Sequence, residues 1–319
     1  MNKLSKIISV GLLGLATSLI SWADEPVEDV SACQNIKLAE TGWADISATT
    51  AMVSVVAEGL GYEVSAPIIS VPIAFTSVAK GKVDAFLGYW SPSMDGIAAP
   101  FIKDKTIIIP EKANLEGAKY TLAVPAYTYD AGLQSFKDIA KFKKDLNAQI
   151  FGIEAGNDGN LLIQKMIKEN LFNLSDFKLR ESSEAAMLSQ VKRAVTAKKP
   201  IVFLAWEPHP MNSQIELKYL ADGDEVFGPN YGSAKVFTII SPEFQKRCPT
   251  EANLISQIRF TVQMESELMT EILENKVPAK KAAKEYLKKH PEVLNHWLVG
   301  IKSTKGEDGK VAVEKYLAQ

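Results

Sequence analysis

The amino-acid sequence predicts an α/β protein of two lobes, each built on a doubly wound parallel sheet, with a ligand cleft between them. Three observations carry this. Short apolar runs alternate with longer helical patterns, as expected of parallel strand–helix–strand units. The alternation restarts near Tyr120, so two such units follow one another. A chain of 319 residues also exceeds the usual size of a single core, which favours two domains.

The elements follow in order. Residues 1–23 read as a secretory signal peptide. Lys3 and Lys6 form a basic start, residues 7–20 are apolar, and Ser21-Trp22-Ala23 is a small-x-small cleavage site before Asp24. The stretch is short for a membrane anchor, and no later segment is apolar for long enough to span a bilayer. The mature chain is expected to be exported, soluble and monomeric. In the first unit NIKLAE, YEVSAPII and VDAFLGYW read as strands. The helix SATTAMVSVVAEGLG, closed by Gly61, and the helix VPIAFTSVAKGK separate them. In the second unit TLAVPAY, AQIFGIEAG and IVFLAW read as strands, with helices over residues 135–146, 159–171 and 184–199. The last third adds strands LKYLAD and AKVFTIIS, helices over 252–262, 265–273 and 278–298, and a charged turn, STKGEDGK. If the first lobe takes up this helical tail, the chain crosses between lobes twice, near residues 117–120 and 228–234. The expected division is 24–119 plus 232–319 for lobe 1 and 120–231 for lobe 2.

Composition excludes several classes. A net charge of −2 and a pI near 6.1 leave no electrostatic footprint for nucleic acid. Two cysteines, Cys33 and Cys248, and three scattered histidines show no metal-ligand spacing, so neither metal nor cofactor is expected. In an exported chain an isolated cysteine pair is expected to form a disulfide, here joining the start of the mature chain to the return segment. Two free buried thiols are the alternative.

Three tryptophans carry the chemistry. Trp43, Trp90 and Trp206 stand in NIKLAETGWAD, VDAFLGYWSP and IVFLAWEPHP, each just after an apolar run. At the carboxyl ends of strands in an open α/β sheet they face the crevice where ligands bind; the alternative is core packing. A quaternary ammonium has no N–H, and its charge is spread over methyl groups. Aromatic faces attract such a cation through their quadrupoles while burying its methyls. Trp297 lies in a C-terminal helix and reads as core.

On the motifs ETGWAD, LGYWSP, GAKYTLAVP, EAGNDGN and LAWEPHP, the chain resembles the substrate-binding proteins of ABC transporters for glycine betaine, proline betaine and choline, and most closely the periplasmic choline-binding proteins. The resemblance implies a type II periplasmic binding fold, a choline ligand and a membrane permease as partner. It implies that Trp43, Trp90, Tyr120 and Trp206 box the trimethylammonium, while Asp45 and Asn157 hold the alcohol end. Tyr89, Tyr127 and Tyr129 compete with Tyr120 for the fourth wall. Asp45 could instead cap the helix it precedes, and Asn157 could be a turn residue tolerating positive φ. A carboxylate at Asp45 accepts a hydrogen bond from an alcohol and repels the carboxylate of a betaine. The charge logic therefore favours choline over glycine betaine or carnitine. An exported choline-ester hydrolase finds little support. No G-x-S-x-G, H-E-x-x-H or P-loop is present, and Glu207 and His209 sit in a proline-flanked turn.

Overall fold

The computed structural model describes residues 33–319; the signal peptide expected over residues 1–23, with Trp22, lies outside that range. Nine strands form one curled sheet: β1 Asn35–Ala39, β2 Glu63–Ser65, β3 Ala85–Ser91, β4 Leu115–Pro125, β5 Gln149–Phe151, β6 Lys178–Arg180, β7 Phe203–Glu207, β8 Leu217–Tyr219 and β9 Ser233–Ile240. Their order is β2-β1-β3-β9-β4-β7-β5-β6, with β8 on β4. The parallel pairs are β1–β2, β1–β3, β5–β6 and β5–β7. These two parallel groups are the two lobes, and the architecture is that of a type II periplasmic binding protein.

One feature departs from two separate parallel sheets. β4 and β9 are antiparallel to their neighbours and to each other, with Leu115 opposite Val236 and Lys119 opposite Ser233. The first part of β4 pairs only with β9, while its second part pairs with β7 and β8. The sheet is thus continuous through both lobes. The runs LEGAKYTLAVP and SAKVFTII are long enough to hydrogen-bond to each other as they pass between lobes, which satisfies backbone groups that a bare linker would leave to water.

The helix Ala44–Leu60 is apolar on nearly every side and buried along almost its whole length. It lies under the helices Val262–Leu273, Ala279–Lys289 and Gly309–Leu317, so the C-terminal helical segment covers the first parallel group. It ends where Gly61 takes φ +100° and its N–H closes the last turn, a conformation cheap only for glycine. Cys33 and Cys248 are bonded, with Cα atoms 5.6 Å apart. The bond ties the residue ahead of β1 to the junction of helices Pro242–Arg247 and Pro249–Gln257.

Several local expectations differ. Residues 259–262 extend the predicted helix, yet Ile258 is extended and the Phe260 N–H donates to the Asn114 carbonyl at 2.6 Å. A tertiary hydrogen bond overrides local propensity there. Residues 135–146 form only a 3-10 turn, Phe136–Phe142, capped reciprocally by Ser135 and Asp138. After the charged turn comes a helix, Gly309–Leu317, capped by Asp308. Among the described residues no helix is long and apolar enough to cross a membrane.

Candidate functional site

The carboxyl ends of β1, β3, β5 and β7 converge on one cavity. Its lining is Trp43, Asp45, Trp90, Tyr120, Ile153, Asn157, Asp158 and Trp206. All six residues singled out in the sequence therefore meet here, with Ile153 and Asp158 added. Every one of the eight is at most 6 % exposed, so the cleft is closed over them.

Strand register sets the walls. Tyr120 on β4 stands opposite Trp206 on β7, which puts the two side chains on one face as neighbours. Their rings meet edge to face, with centroids 6.3 Å apart, and the Trp90 ring centroid lies 5.9 Å from that of Tyr120. Trp43 follows β1 and donates its indole N–H to Glu154 Oε2 at 2.8 Å. The peptide bonds after β3 and at the end of β7, Ser91–Pro92 and Glu207–Pro208, are both cis. The rival tyrosines are elsewhere: Tyr89 donates to Asp95, and Tyr127 to the Lys199 carbonyl. Trp297 is a core residue whose N–H is bonded to the Arg259 carbonyl.

The polar groups have definite partners. The position preceding the helix Ala44–Leu60 is held by Trp43, so Asp45 is not its cap; it stands in the first turn with Oδ1 buried and unpaired. Loss of solvent, reinforced by the Glu184 carboxylate, pushes its pKa up to about 7, against the pull of nearby backbone N–H groups and the Trp90 indole. That indole nitrogen points toward the carboxyl without a hydrogen bond of standard geometry. Behind Asp45, burial and the Asp45 charge hold the Glu265 pKa well above the usual carboxylate range. Asn157 has φ −63°, not a positive value, and caps the helix Asp158–Lys168 by accepting from the Asn160 N–H. Its Oδ1 also accepts from the Tyr120 hydroxyl at 2.9 Å, and its Nδ2 donates to Asp158 Oδ1. Asn157 thus locks Tyr120 in place and keeps one N–H for a ligand. Gly159 lies under the same ring: a Cβ there would come within 2.1 Å of the Tyr120 hydroxyl.

Around the cavity runs a chain of hydrogen bonds joining the two parallel groups. Glu154 accepts from Trp43 Nε1 and from the Glu184 N–H; Glu184 accepts from the Ala44 N–H at 3.1 Å. His209 Nδ1 accepts from the Met211 N–H, so the proton sits on Nε2, which donates to Glu184 at 3.0 Å. Glu154 and Glu184 thus bridge the two parallel groups through Trp43 and Ala44, and His209 braces Glu184 from its own side. Sequence reasoning missed all three, and missed Asp158, although it stands beside Asn157 in EAGNDGN.

No lysine, arginine or histidine lines the cavity, whereas two carboxyls do. Aromatic walls and buried acids without a built-in countercharge define a site for an organic cation. The fold and this cavity together are those of a solute-binding protein of a transporter. The family described as the substrate-binding domain of the ABC-type glycine betaine transport system matches residues 34–289, and the chain belongs to that family. A solved ABC-transporter choline-binding protein in complex with choline is 44% identical, with a TM-score of 0.88 over 90% of this chain and 99% of that one. Lactococcal OpuAC, closed on glycine betaine, is 26% identical at TM-score 0.74, covering 83% of this chain and 99% of that one. The glycine betaine/carnitine transport binding protein GbuC of Listeria monocytogenes serotype 1/2a (strain 10403S) is 31% identical over 53% of this chain. That match spans 56% of GbuC's own length.

Proposed function

We propose that this protein captures choline in the aromatic cavity outside the cytoplasm, in the periplasm, and delivers it to the permease of an ABC transporter. The carrying observation is the cavity lining: four aromatic rings and two buried carboxyls with no basic side chain. Each ring contributes about 0.5–2 kcal/mol toward a cation, and each buried methyl roughly 0.8 kcal/mol. After the cost of association this suits micromolar affinity or tighter. In this reading Trp43, Trp90, Tyr120 and Trp206 hold the trimethylammonium, and Asp45 with the free N–H of Asn157 holds the hydroxyl. Residues 24–119 plus 232–319 and residues 120–231 act as two jaws about the paired strands β4 and β9. The 44% identity to a choline-binding protein supports the ligand.

A glycine betaine or carnitine ligand is the second reading, favoured by the description of GbuC. The lining opposes it, because the ligand's carboxylate would enter a closed site beside Asp45 and Asp158 with no basic group to meet it. The site binds rather than reacts: both nitrogens of His209 are already engaged, by the Met211 N–H and the Glu184 carboxylate. Titration calorimetry with choline and glycine betaine, and a search for choline released from acetylcholine, test this reading. Micromolar choline binding without turnover is expected; choline binding no tighter than about millimolar would sink it.

A further inference from the structure

Asp158 is the cavity group that the expected division of labour leaves without a task. Its carboxyl is 1 % exposed, Oδ1 accepts from Asn157 Nδ2 at 2.9 Å, and Oδ2 is buried with no partner. It stands at the start of a helix, where an acid often serves the backbone. Here the Asn157 side chain is the cap, and the N–H groups of Asp158 and Gly159 favour the carboxylate but leave Oδ2 without a hydrogen bond. We propose that Asp158 is a specificity-determining residue, the countercharge to the quaternary ammonium, distinct from the contact of Asp45 with the alcohol end. The inference rests on the choline reading.

Position and chemistry support the division. Asp158 lies on the Tyr120 side of the cavity: its charge acts on the Tyr120 hydroxyl, and Asn157 bridges the two. Asp45 lies on the side of Glu184 and Glu265. A buried carboxylate oxygen without a partner is unfavourable until a cation arrives. Burial pushes the Asp158 pKa up to about 6, while Ser93 and the backbone N–H groups of Asp158 and Gly159 pull the other way, so the group is mostly ionised at neutral pH. The rings bury the methyl surface and favour the cation through their quadrupoles. The carboxylate adds a full countercharge to that preference.

The experiment compares choline with its neutral carbon isostere, in which a tert-butyl group replaces the trimethylammonium. Affinities of the wild type, Asp158→Asn and Asp158→Ser are measured near neutral pH, with thermal unfolding to establish folding; either folded variant suffices. The expected result is a loss of at least about tenfold for choline, as for removing one charge a few ångströms from a buried cation, with the isostere unchanged within about twofold. Choline affinity retained within about twofold in the variants would overturn the proposal while leaving the choline reading intact. Equal losses for both ligands would also overturn it, since that pattern marks a purely structural role. Failure of the wild type to bind choline would overturn the choline reading and this proposal together.

Discussion

Replacing Asp45 with alanine moves two observables in opposite directions, and the structure says by how much. If Asp45 accepts the choline hydroxyl, the variant loses a hydrogen bond to a charged group, about 1.5–3 kcal/mol. At 1.4 kcal/mol per factor of ten, choline binding weakens by roughly 10- to 150-fold. Stability of the ligand-free protein moves the other way. Folding raises the Asp45 pKa from 3.8 to about 7, so the native state holds the proton more tightly than the unfolded chain. The resulting stabilisation is fully present below about pH 4 and is lost as pH rises through about 7. Above that, burying the charge costs up to about 4 kcal/mol, at 1.36 kcal/mol per pKa unit. Alanine removes this cost and forfeits only a first-turn acid, on the order of 0.3–1 kcal/mol. At about pH 8 the empty variant is therefore expected to melt no lower than the wild type. Calorimetric titration and a melting curve read both quantities. A variant that binds choline within about threefold of the wild type, or that melts several degrees lower, would refute the reasoning.

Three further outcomes are expected. Trp206→Ala removes one wall and the methyl contacts it makes, so choline affinity falls about tenfold or more, as tryptophan fluorescence titration would show. Choline affinity rises from about pH 5 to about pH 8, because a cation is favoured by ionised Asp45 and Asp158, whose pKa values lie near 7 and 6 in the empty site. Asp45 is faced by Glu184, Glu265 and Trp90, and Asp158 by Ser93, Asn157 and Tyr120, none of them basic; a pH-independent affinity would contradict this. Glu154→Gln sets an amide NH₂ against one of its two donors, Trp43 Nε1 or the Glu184 N–H. The variant should stay more open with ligand, read as a larger radius of gyration by solution scattering and weaker choline binding.

The aromatic walls were legible in the sequence because tryptophan directly after a short apolar run has few structural duties at the mouth of an α/β sheet. Trp43, Trp90 and Trp206 each announce themselves locally. Tyr120 was harder: its place depends on facing Trp206 across the β4–β7 ladder, a pairing that spans 86 residues and leaves no local mark. The pairing of β4 with β9 was hidden for the same reason: the sequence shows strands over TLAVPAY and AKVFTIIS, and the residues just ahead of each read as crossings between lobes, not as strand. Asp158 was masked by its position, where an acid in a first helical turn is commonplace; only the capping bond of Asn157 frees it for another task. Glu154 in EAGNDGN and His209 in LAWEPHP stand in motifs of the sequence, but only the fold brings Glu184 to both of them. Asn157 was found, but its part in fixing Tyr120 came from the fold.

The most direct test is a crystal structure of the protein grown with choline. The quaternary nitrogen is expected within about 6 Å of the ring centroids of Trp43, Trp90, Tyr120 and Trp206, with the hydroxyl donating to Asp45. Choline bound elsewhere, or seated with its hydroxyl among the rings and its ammonium away from them, would contradict it.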